Sequence, residues 1–223
     1  MSRRRSSTRR AAGWTKTEET LLGKLDSPAS IQEFIDSTEY SADPIYRSPR
    51  SVLRDRKAHC MDGALFAAMA LERLGRPPLL LDMTAERDDD HVIAIFKEGR
   101  CFGAVAKSNF STLRFREPVY RTARELVMSY FEFYFNVESE KSLRSYSVLL
   151  DLSSLGDLPW RTDDEAIEPI AARLYKIRHY PLLPREMERR LTKADARSYA
   201  AATVGVNPAG LYIPRIDALG LSD

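Results

Sequence analysis

The sequence predicts an α+β protein in which one apolar helix packs on an antiparallel sheet. Residues 60–74 are apolar on most sides, which favours a buried helix, and Gly75 with the two prolines after it suits the end of that helix. Residues 79–83, 91–96 and 101–106 are short apolar runs of strand length. Gly99 and Arg100 separate the last two runs, which is typical of a hairpin and hence of antiparallel strands.

The composition is typical of a soluble globular protein and excludes several other classes. Of the 223 residues, 43% are hydrophobic and 30% are charged, which suffices for one sizeable domain, or for one domain with an appendage. Two cysteines give no disulfide framework, so a reducing, cytoplasmic compartment is expected. No apolar run approaches the length of a membrane span, and no apolar segment follows the basic N terminus as in a secretory signal. We therefore expect no membrane association.

Residues 1–14 are predicted to form a disordered basic tail. Residues 1–10 carry five arginines and no acid, so the net charge of +2 leaves −3 for the rest of the chain. Such a tail could contact nucleic acid through phosphate groups. A solvated tail without a dedicated partner is the favoured alternative.

Helical and extended patterns divide the rest of the chain into a core and an extension. Ser30 can cap an early helix, and apolar residues recur at helical spacing over residues 122–134. We assign residues 15–152 to an α+β domain. Residues 153–223, which include a predicted charged helix over residues 186–197, are expected to form a helical extension packed on that domain.

Cys60 is the first candidate for a catalytic residue, because it occupies the predicted start of the apolar helix. The first turn of a helix has backbone N–H groups without partners and the positive end of the helix dipole, and both favour a thiolate. Asp62 in the same turn opposes a strongly lowered thiol pKa, so a separate base is needed. A buried cysteine that only packs is the common alternative, and it is the favoured interpretation of Cys101 in mid-strand.

His91 follows Cys60 by 31 residues and opens a predicted strand. A cysteine that begins a helix and a histidine that begins a strand suit a nucleophile–base pair, so we predict that the two meet in space. Residues 88–90 are three aspartates, and carboxylates beside a histidine could hold a hard metal ion. Consecutive loop residues seldom point one way, so a solvated turn is favoured and neither a metal nor a cofactor is predicted. An acidic neighbour would also raise the pKa of His91.

The segment from about Ser48 to Asn109 resembles the core of bacterial-type members of the transglutaminase-like superfamily, within the papain-like fold. The matching stretches are CMDGAL (residues 60–65), GRPPLLL (75–81), HV (91–92) and GRCFGAV (99–105), within about a quarter to a third of the chain. The resemblance implies a papain-like domain whose nucleophile helix packs on an antiparallel sheet. It also implies a cysteine nucleophile, a histidine base and an acid on the following strand that orients the histidine.

The third position of that triad departs from the family pattern. No aspartate stands around Val105 and Ala106, where the resemblance places one, and the nearest candidates are Ser108 and Asn109. Asn109 follows His91 by 18 residues, and papain-like proteases use asparagine in this role. Asn109 is therefore favoured over Ser108.

Three further side chains are candidates for substrate contacts. Tyr46 belongs to a segment expected to line the approach to Cys60. Arg114 and Arg116 could bind an acidic group on a substrate, since the guanidinium fork matches a carboxylate. An ordinary surface aromatic and two solvated arginines are the alternatives.

We therefore predict cysteine-dependent acyl transfer or amide hydrolysis, with Cys60 as nucleophile, His91 as base and Asn109 as the orienting residue. The expected substrate is a peptide or protein amide. Attack by an amine or by water would complete the reaction equally well. The alternative is a catalytically inactive binding or scaffold protein that retains the fold, and the missing acid supports it.

Overall fold

A computed structural model describes residues 13–213 of the chain, and the arginines of the predicted basic tail lie outside that range. No helix within the described range has the length and apolar character needed to cross a bilayer. Short 3-10 helices cover Leu152–Leu155, Asp164–Ala166 and Pro208–Gly210. The α-helices of the described residues are α1 (Lys16–Leu22), α2 (Pro28–Asp36), α3 (Pro49–Asp55), α4 (Cys60–Arg73), α5 (Ala123–Phe131), α6 (Glu168–Lys176), α7 (Arg185–Glu188) and α8 (Ala196–Ala202).

Seven strands form one antiparallel sheet, and two short strands pair in parallel beside it. Along the sheet the order is β6-β5-β4-β3-β7-β9, with β8 also paired to β3. This architecture confirms the predicted α+β class and the antiparallel sheet. The strands are β1 (Glu39–Tyr40), β2 (Lys57–Ala58), β3 (Leu79–Ala85), β4 (His91–Glu98), β5 (Cys101–Val105), β6 (Arg116–Tyr120), β7 (Leu143–Ser147), β8 (Leu150–Asp151) and β9 (His179–Pro181).

The two faces of the sheet carry separate cores, because successive side chains of a strand point to opposite faces. On β4, Val92 and Ala94 belong to the core that contains α4, whereas Ile93 and Ile95 belong to the core that contains α5. Helix α4 is buried over residues 61–71, as its apolar sequence predicted. The end of this helix, strands β3 to β5 and the hairpin at residues 99–100 also agree with the sequence analysis.

The second helix starts three residues earlier than predicted. Ser27, not Ser30, is the residue before the helix, and its side chain accepts a hydrogen bond from the Ser30 backbone N–H at 3.1 Å. The Ser30 hydroxyl oxygen in turn accepts a hydrogen bond from the Ser27 backbone N–H at 3.0 Å. Pro28 does not break this helix, because a proline is tolerated in the first turn, where its missing N–H would have no partner.

The C-terminal part of the chain is less helical than predicted. The charged helix expected over residues 186–197 is replaced by the four-residue α7 and by α8, which starts at Ala196. Charged residues there offer no apolar stripe to bury, and α7 has no buried residue. In addition, β9 pairs with β7, so residues 179–181 extend the sheet of the predicted core domain.

Gly63, one turn into α4, allows this helix to lie directly against Lys107. A methyl group at position 63 would overlap Lys107 Cβ, and that lysine is only 7% exposed, with its ammonium bonded to the carbonyls of Ile35 and Thr38. We expect Gly63→Ala to lower the free energy of unfolding by about 2 kcal/mol, since the overlap outweighs the helix propensity of alanine. Urea denaturation measures the loss.

Gly13→Ala is the matched control, because nothing lies within 4 Å of a methyl group at that position. Equal stability of the two variants would contradict the close approach of α4 to Lys107.

Candidate active site

A cavity of about 810 Å³ lies at the end of the sheet where β4 begins. Cys60 and His91 both border it, together with Ser108 and Asn109 from the segment after β5. Side chains of α6 and residues 209–213 complete its wall, so the C-terminal part of the chain contributes to the same cavity. Residue types that can act as nucleophile and base therefore share one space large enough for a substrate.

Cys60 is the first residue of α4, as predicted, and its side chain is half-buried. His59 precedes the helix and caps it, since its Nδ1 accepts the Met61 backbone N–H at 3.1 Å. The Cys60 thiol donates to the Asp90 carbonyl with a sulfur–oxygen distance of 3.7 Å. Burial raises the pKa of the Cys60 thiol to about 12, although a hydrogen bond from the Val92 backbone lowers it. Burial therefore outweighs the lowering of the thiol pKa that was expected from the helix start.

Asp62 fixes the start of α4 against the preceding loop. Its carboxylate is fully buried and accepts the backbone N–H groups of Arg47 at 2.8 Å and of His59 at 3.2 Å. Burial raises the pKa of Asp62 to about 7, against the lowering effect of those hydrogen bonds. Asp62 thus holds the Cys60 backbone in place, beyond the favourable charge–dipole contact expected of an acid in the first turn.

The imidazole of His91 is held in one orientation by a backbone carbonyl. Its Nε2 lies 2.9 Å from the Leu113 carbonyl oxygen, so Nε2 carries the proton and Nδ1 has the free lone pair. Nδ1 makes no hydrogen bond within residues 13–213, and His91 borders the cavity. Burial lowers the pKa of His91 to about 4, although the Leu113 contact raises it.

Cys60 and His91 reach the cavity from opposite faces of the sheet. Helix α4 covers the face that carries Val92, whereas His91 shares the face of Ile93 and packs edge-on against Tyr134, with ring centroids 6.3 Å apart. No hydrogen bond joins the Cys60 sulfur to the His91 ring in the described structure. The two residues border one cavity without a direct hydrogen bond between them, so the nucleophile–base pair stays a prediction.

The structure corrects the predicted partner of the imidazole. Asn109 does not contact His91; its amide donates to the carbonyls of Asn207 at 2.9 Å and Gly210 at 3.1 Å. Its Oδ1 accepts the Asn207 backbone N–H at 2.8 Å. The alternative, Ser108, accepts the Phe110 backbone N–H at 3.0 Å. A carbonyl of the same loop, that of Leu113, occupies the position predicted for an acid or amide side chain.

The three predicted substrate contacts are divided between two places. Tyr46 lines the cavity and contacts His59 edge-on, with ring centroids 5.5 Å apart. Arg114 forms an ion pair with Asp36, and Arg116 lies over the Tyr130 ring at 3.8 Å. Both arginines border a separate, smaller recess, so their guanidinium groups do not face Cys60.

Sequence reasoning missed a contact between a histidine and a carboxylate near the cavity. Asp82 on β3 lines the cavity, and its Oδ2 lies 3.2 Å from His179 Nε2 on β9. The other ring nitrogen of His179 lies 2.8 Å from the Ile177 carbonyl oxygen. A charged residue within the apolar run of β3 was the available signal for Asp82. No local signal predicts His179, which is 97 residues away in the chain.

Comparison with known proteins adds a weak structural likeness. No protein-family model matches the chain, and no curated protein matches it. Two solved structures of Legionella pneumophila LapG, one of them EGTA-treated, resemble it at 16% sequence identity and a TM-score of 0.37. The EGTA-treated match covers 68% of this chain and 84% of the LapG chain, and the other covers 68% and 83%. At this TM-score the likeness decides neither the fold family nor the activity of this chain.

Proposed function

We propose that the chain is a cysteine-dependent enzyme of the transglutaminase-like type that attacks an amide carbonyl, leading to acyl transfer or hydrolysis. The observation that supports the proposal is the His91 ring: its Nε2 is held by Leu113, its basic Nδ1 is unpaired within residues 13–213, and the residue borders the same cavity as Cys60. A fixed neutral imidazole that shares a cavity with a helix-start cysteine is suited to nucleophilic catalysis.

The first half of the reaction begins with two neutral groups. The Cys60 thiol leaves the Asp90 carbonyl and gives its proton to His91 Nδ1 while the sulfur bonds to the amide carbon. The Cys60 backbone N–H, at the start of α4, has no partner within the helix and can donate to the developing oxyanion. The imidazolium then protonates the departing amine, and an acyl–sulfur bond remains.

The Leu113 carbonyl takes the role expected of a side chain in the triad. It accepts the Nε2 proton in both the neutral and the cationic state of His91, so it keeps the basic lone pair on Nδ1. Water or an amine, deprotonated by Nδ1, then attacks the acyl group and releases Cys60. A peptide or protein amide fits the size of the cavity.

A binding or scaffold protein without turnover is the second candidate. Burial raises the pKa of Cys60 to about 12 and lowers that of His91 to about 4, so burial opposes proton transfer from the thiol to the imidazole. The lack of a direct hydrogen bond between the two in the described structure favours this candidate as well.

Alkylation of the full-length protein by iodoacetamide, read residue by residue by mass spectrometry, separates the two candidates. For an enzyme we expect Cys60 to react faster than Cys101 at pH 7.5, and the rate at Cys60 to fall at least about tenfold in His91→Gln. Glutamine can keep the donor to the Leu113 carbonyl but lacks a basic nitrogen. Asn109→Ala is the matched control and is expected to leave the rate at Cys60 undiminished.

One result would contradict the enzymatic proposal, and another would contradict the role given to the Leu113 carbonyl. Equally slow labelling of Cys60 and Cys101 would favour the scaffold. A fall in the Asn109→Ala rate as large as that in His91→Gln would return the orienting role to Asn109 and remove it from the Leu113 carbonyl.

A further inference from the structure

The cavity beside Cys60 is strongly acidic. The described residues that line it include six carboxylic acids and one lysine, while His59 and His91 are neutral because burial lowers the pKa of each to about 4. The acids are Asp43, Asp82, Asp88, Asp89, Asp90 and Glu168, and the lysine is Lys176. A concave wall of one charge attracts ligands of the opposite charge and raises their local concentration.

Several of these carboxylates already have partners and are structural. Asp43 pairs with Arg47, and Asp88 accepts the Ser142 hydroxyl at 2.6 Å. Asp90 accepts the Ala85 backbone N–H at 2.8 Å. These contacts fix the loop that leads into β4 and leave less capacity for a ligand.

Asp82 and Asp89 differ from these acids. The Asp82 side chain is only 5% exposed, and its Oδ1 is fully buried with no hydrogen-bond partner among residues 13–213. The neighbouring His179 satisfies only Oδ2. The Asp89 carboxylate makes no hydrogen bond or ion pair in the same range, although the Asp89 backbone carbonyl is held by the Tyr134 hydroxyl at 2.7 Å. The Asp82 carboxylate has one side-chain partner among residues 13–213, His179, so a cation in the cavity that Asp82 lines would be favoured electrostatically.

We propose that the substrate attacked by Cys60 carries a cationic side chain, an ammonium or a guanidinium group, that binds the Asp89 carboxylate and is attracted by the buried charge of Asp82. This inference rests on the proposed function and names the substrate class. The described acids form no group of three or more that could hold a metal ion, so an organic cation with several N–H donors is the better fit. Its charge would also favour the Cys60 thiolate, which the surrounding carboxylates now oppose.

Matched thiol reagents of opposite charge test the inference on the full-length protein. Trimethylammonium-ethyl and sulfonato-ethyl methanethiosulfonate both form a mixed disulfide with a thiolate and release methanesulfinate. We expect the cationic-to-anionic rate ratio at Cys60 to exceed that at Cys101 by about tenfold at low salt, and to fall toward it at 0.5 M NaCl. Equal ratios at the two cysteines would overturn the inference, whereas the proposed function is judged by the His91→Gln rate with neutral iodoacetamide.

Single substitutions test which carboxylates cause the preference of Cys60 for the cationic reagent. Asp89→Asn is expected to reduce the ratio at Cys60 about threefold or more, while Asp157→Asn, which changes an exposed acid outside the cavity wall, should leave it unchanged. An equal effect of both variants would overturn the assignment to the cavity.

Ligand binding gives a second measurement that does not need a reactive thiol. Acetylarginine amide and acetylcitrulline amide have nearly the same shape and differ in charge. In Cys60→Ser protein, calorimetry should find at least about tenfold tighter binding of the arginine compound, and Asp89→Asn should remove most of the difference. Equal binding of the two compounds would overturn the inference even where Cys60 reacts with neither reagent.

Discussion

The replacement of His91 by glutamine is expected to make stability less sensitive to acid. The folded-state pKa of His91 is about 4, below the value of about 6.5 for an exposed histidine. Between these values the unfolded chain binds the proton and the folded protein does not, so this residue destabilises the fold as the pH falls. Over the whole window its contribution amounts to about 3 kcal/mol.

Urea denaturation of the wild type and His91→Gln between pH 4 and 7.5 measures this contribution. The difference in unfolding free energy should change by about 1.4 kcal/mol per pH unit within the window, which corresponds to one proton. Asn109→Ala introduces no titrating group, so its difference from the wild type should stay constant with pH. If the unfolding free energies of the wild type and His91→Gln changed with pH in parallel, His91 would have the same pKa in the folded and unfolded states. That result would contradict its assignment as a neutral base.

Trp160→Ala is expected to lower the free energy of unfolding by about 3–5 kcal/mol, the usual cost of deleting a fully buried tryptophan. Trp160 is 1% exposed and belongs to the same core as α4, although it lies in the predicted extension, residues 153–223. The Arg161 guanidinium also lies over the Trp160 ring, with its Cζ 4.3 Å from the ring centroid. The extension therefore supports the helix that presents Cys60.

Chemical denaturation followed by far-ultraviolet circular dichroism measures this loss. A single transition shifted to lower urea is expected, because the core that contains Trp160 is continuous with α4. Val204→Ala, at a side chain that is 70% exposed, is the control and should change stability by less than about 0.5 kcal/mol. A variant that unfolds in two separate steps would instead support an independent extension.

Local sequence patterns were sufficient where one element decides its own conformation. The apolar helix that begins at Cys60, the strand that begins at His91 and the hairpin at Gly99 follow from hydrophobic spacing and from breaker residues. The charged segment over residues 186–197 misled the prediction, because helix propensity without an apolar face gives no burial to stabilise a long helix.

Of the candidate site, the sequence predicted the placement of Cys60 and His91 at element ends, while their catalytic roles stay predictions. Cys60 and His91 stand at element ends, where chemistry is commonly placed, and the spacing between them suits a helix followed by two strands. The contact from Leu113 to His91 is made by a backbone carbonyl, which any residue type provides, so no sequence pattern can single it out. The Asn109 amide instead forms hydrogen bonds with Asn207 and Gly210, about one hundred residues further along the chain.

Local sequence patterns alone predicted the order of the elements, the apolar nature of the helix behind Cys60 and the residue types available for chemistry. Long-range packing placed His91 and Cys60 at one cavity from opposite faces of the sheet, and it brought Asp82 and His179 together beside that cavity. Spacing along a chain fixes which side chains share a face. The packing of distant segments fixes which face they cover and which polar groups they bury.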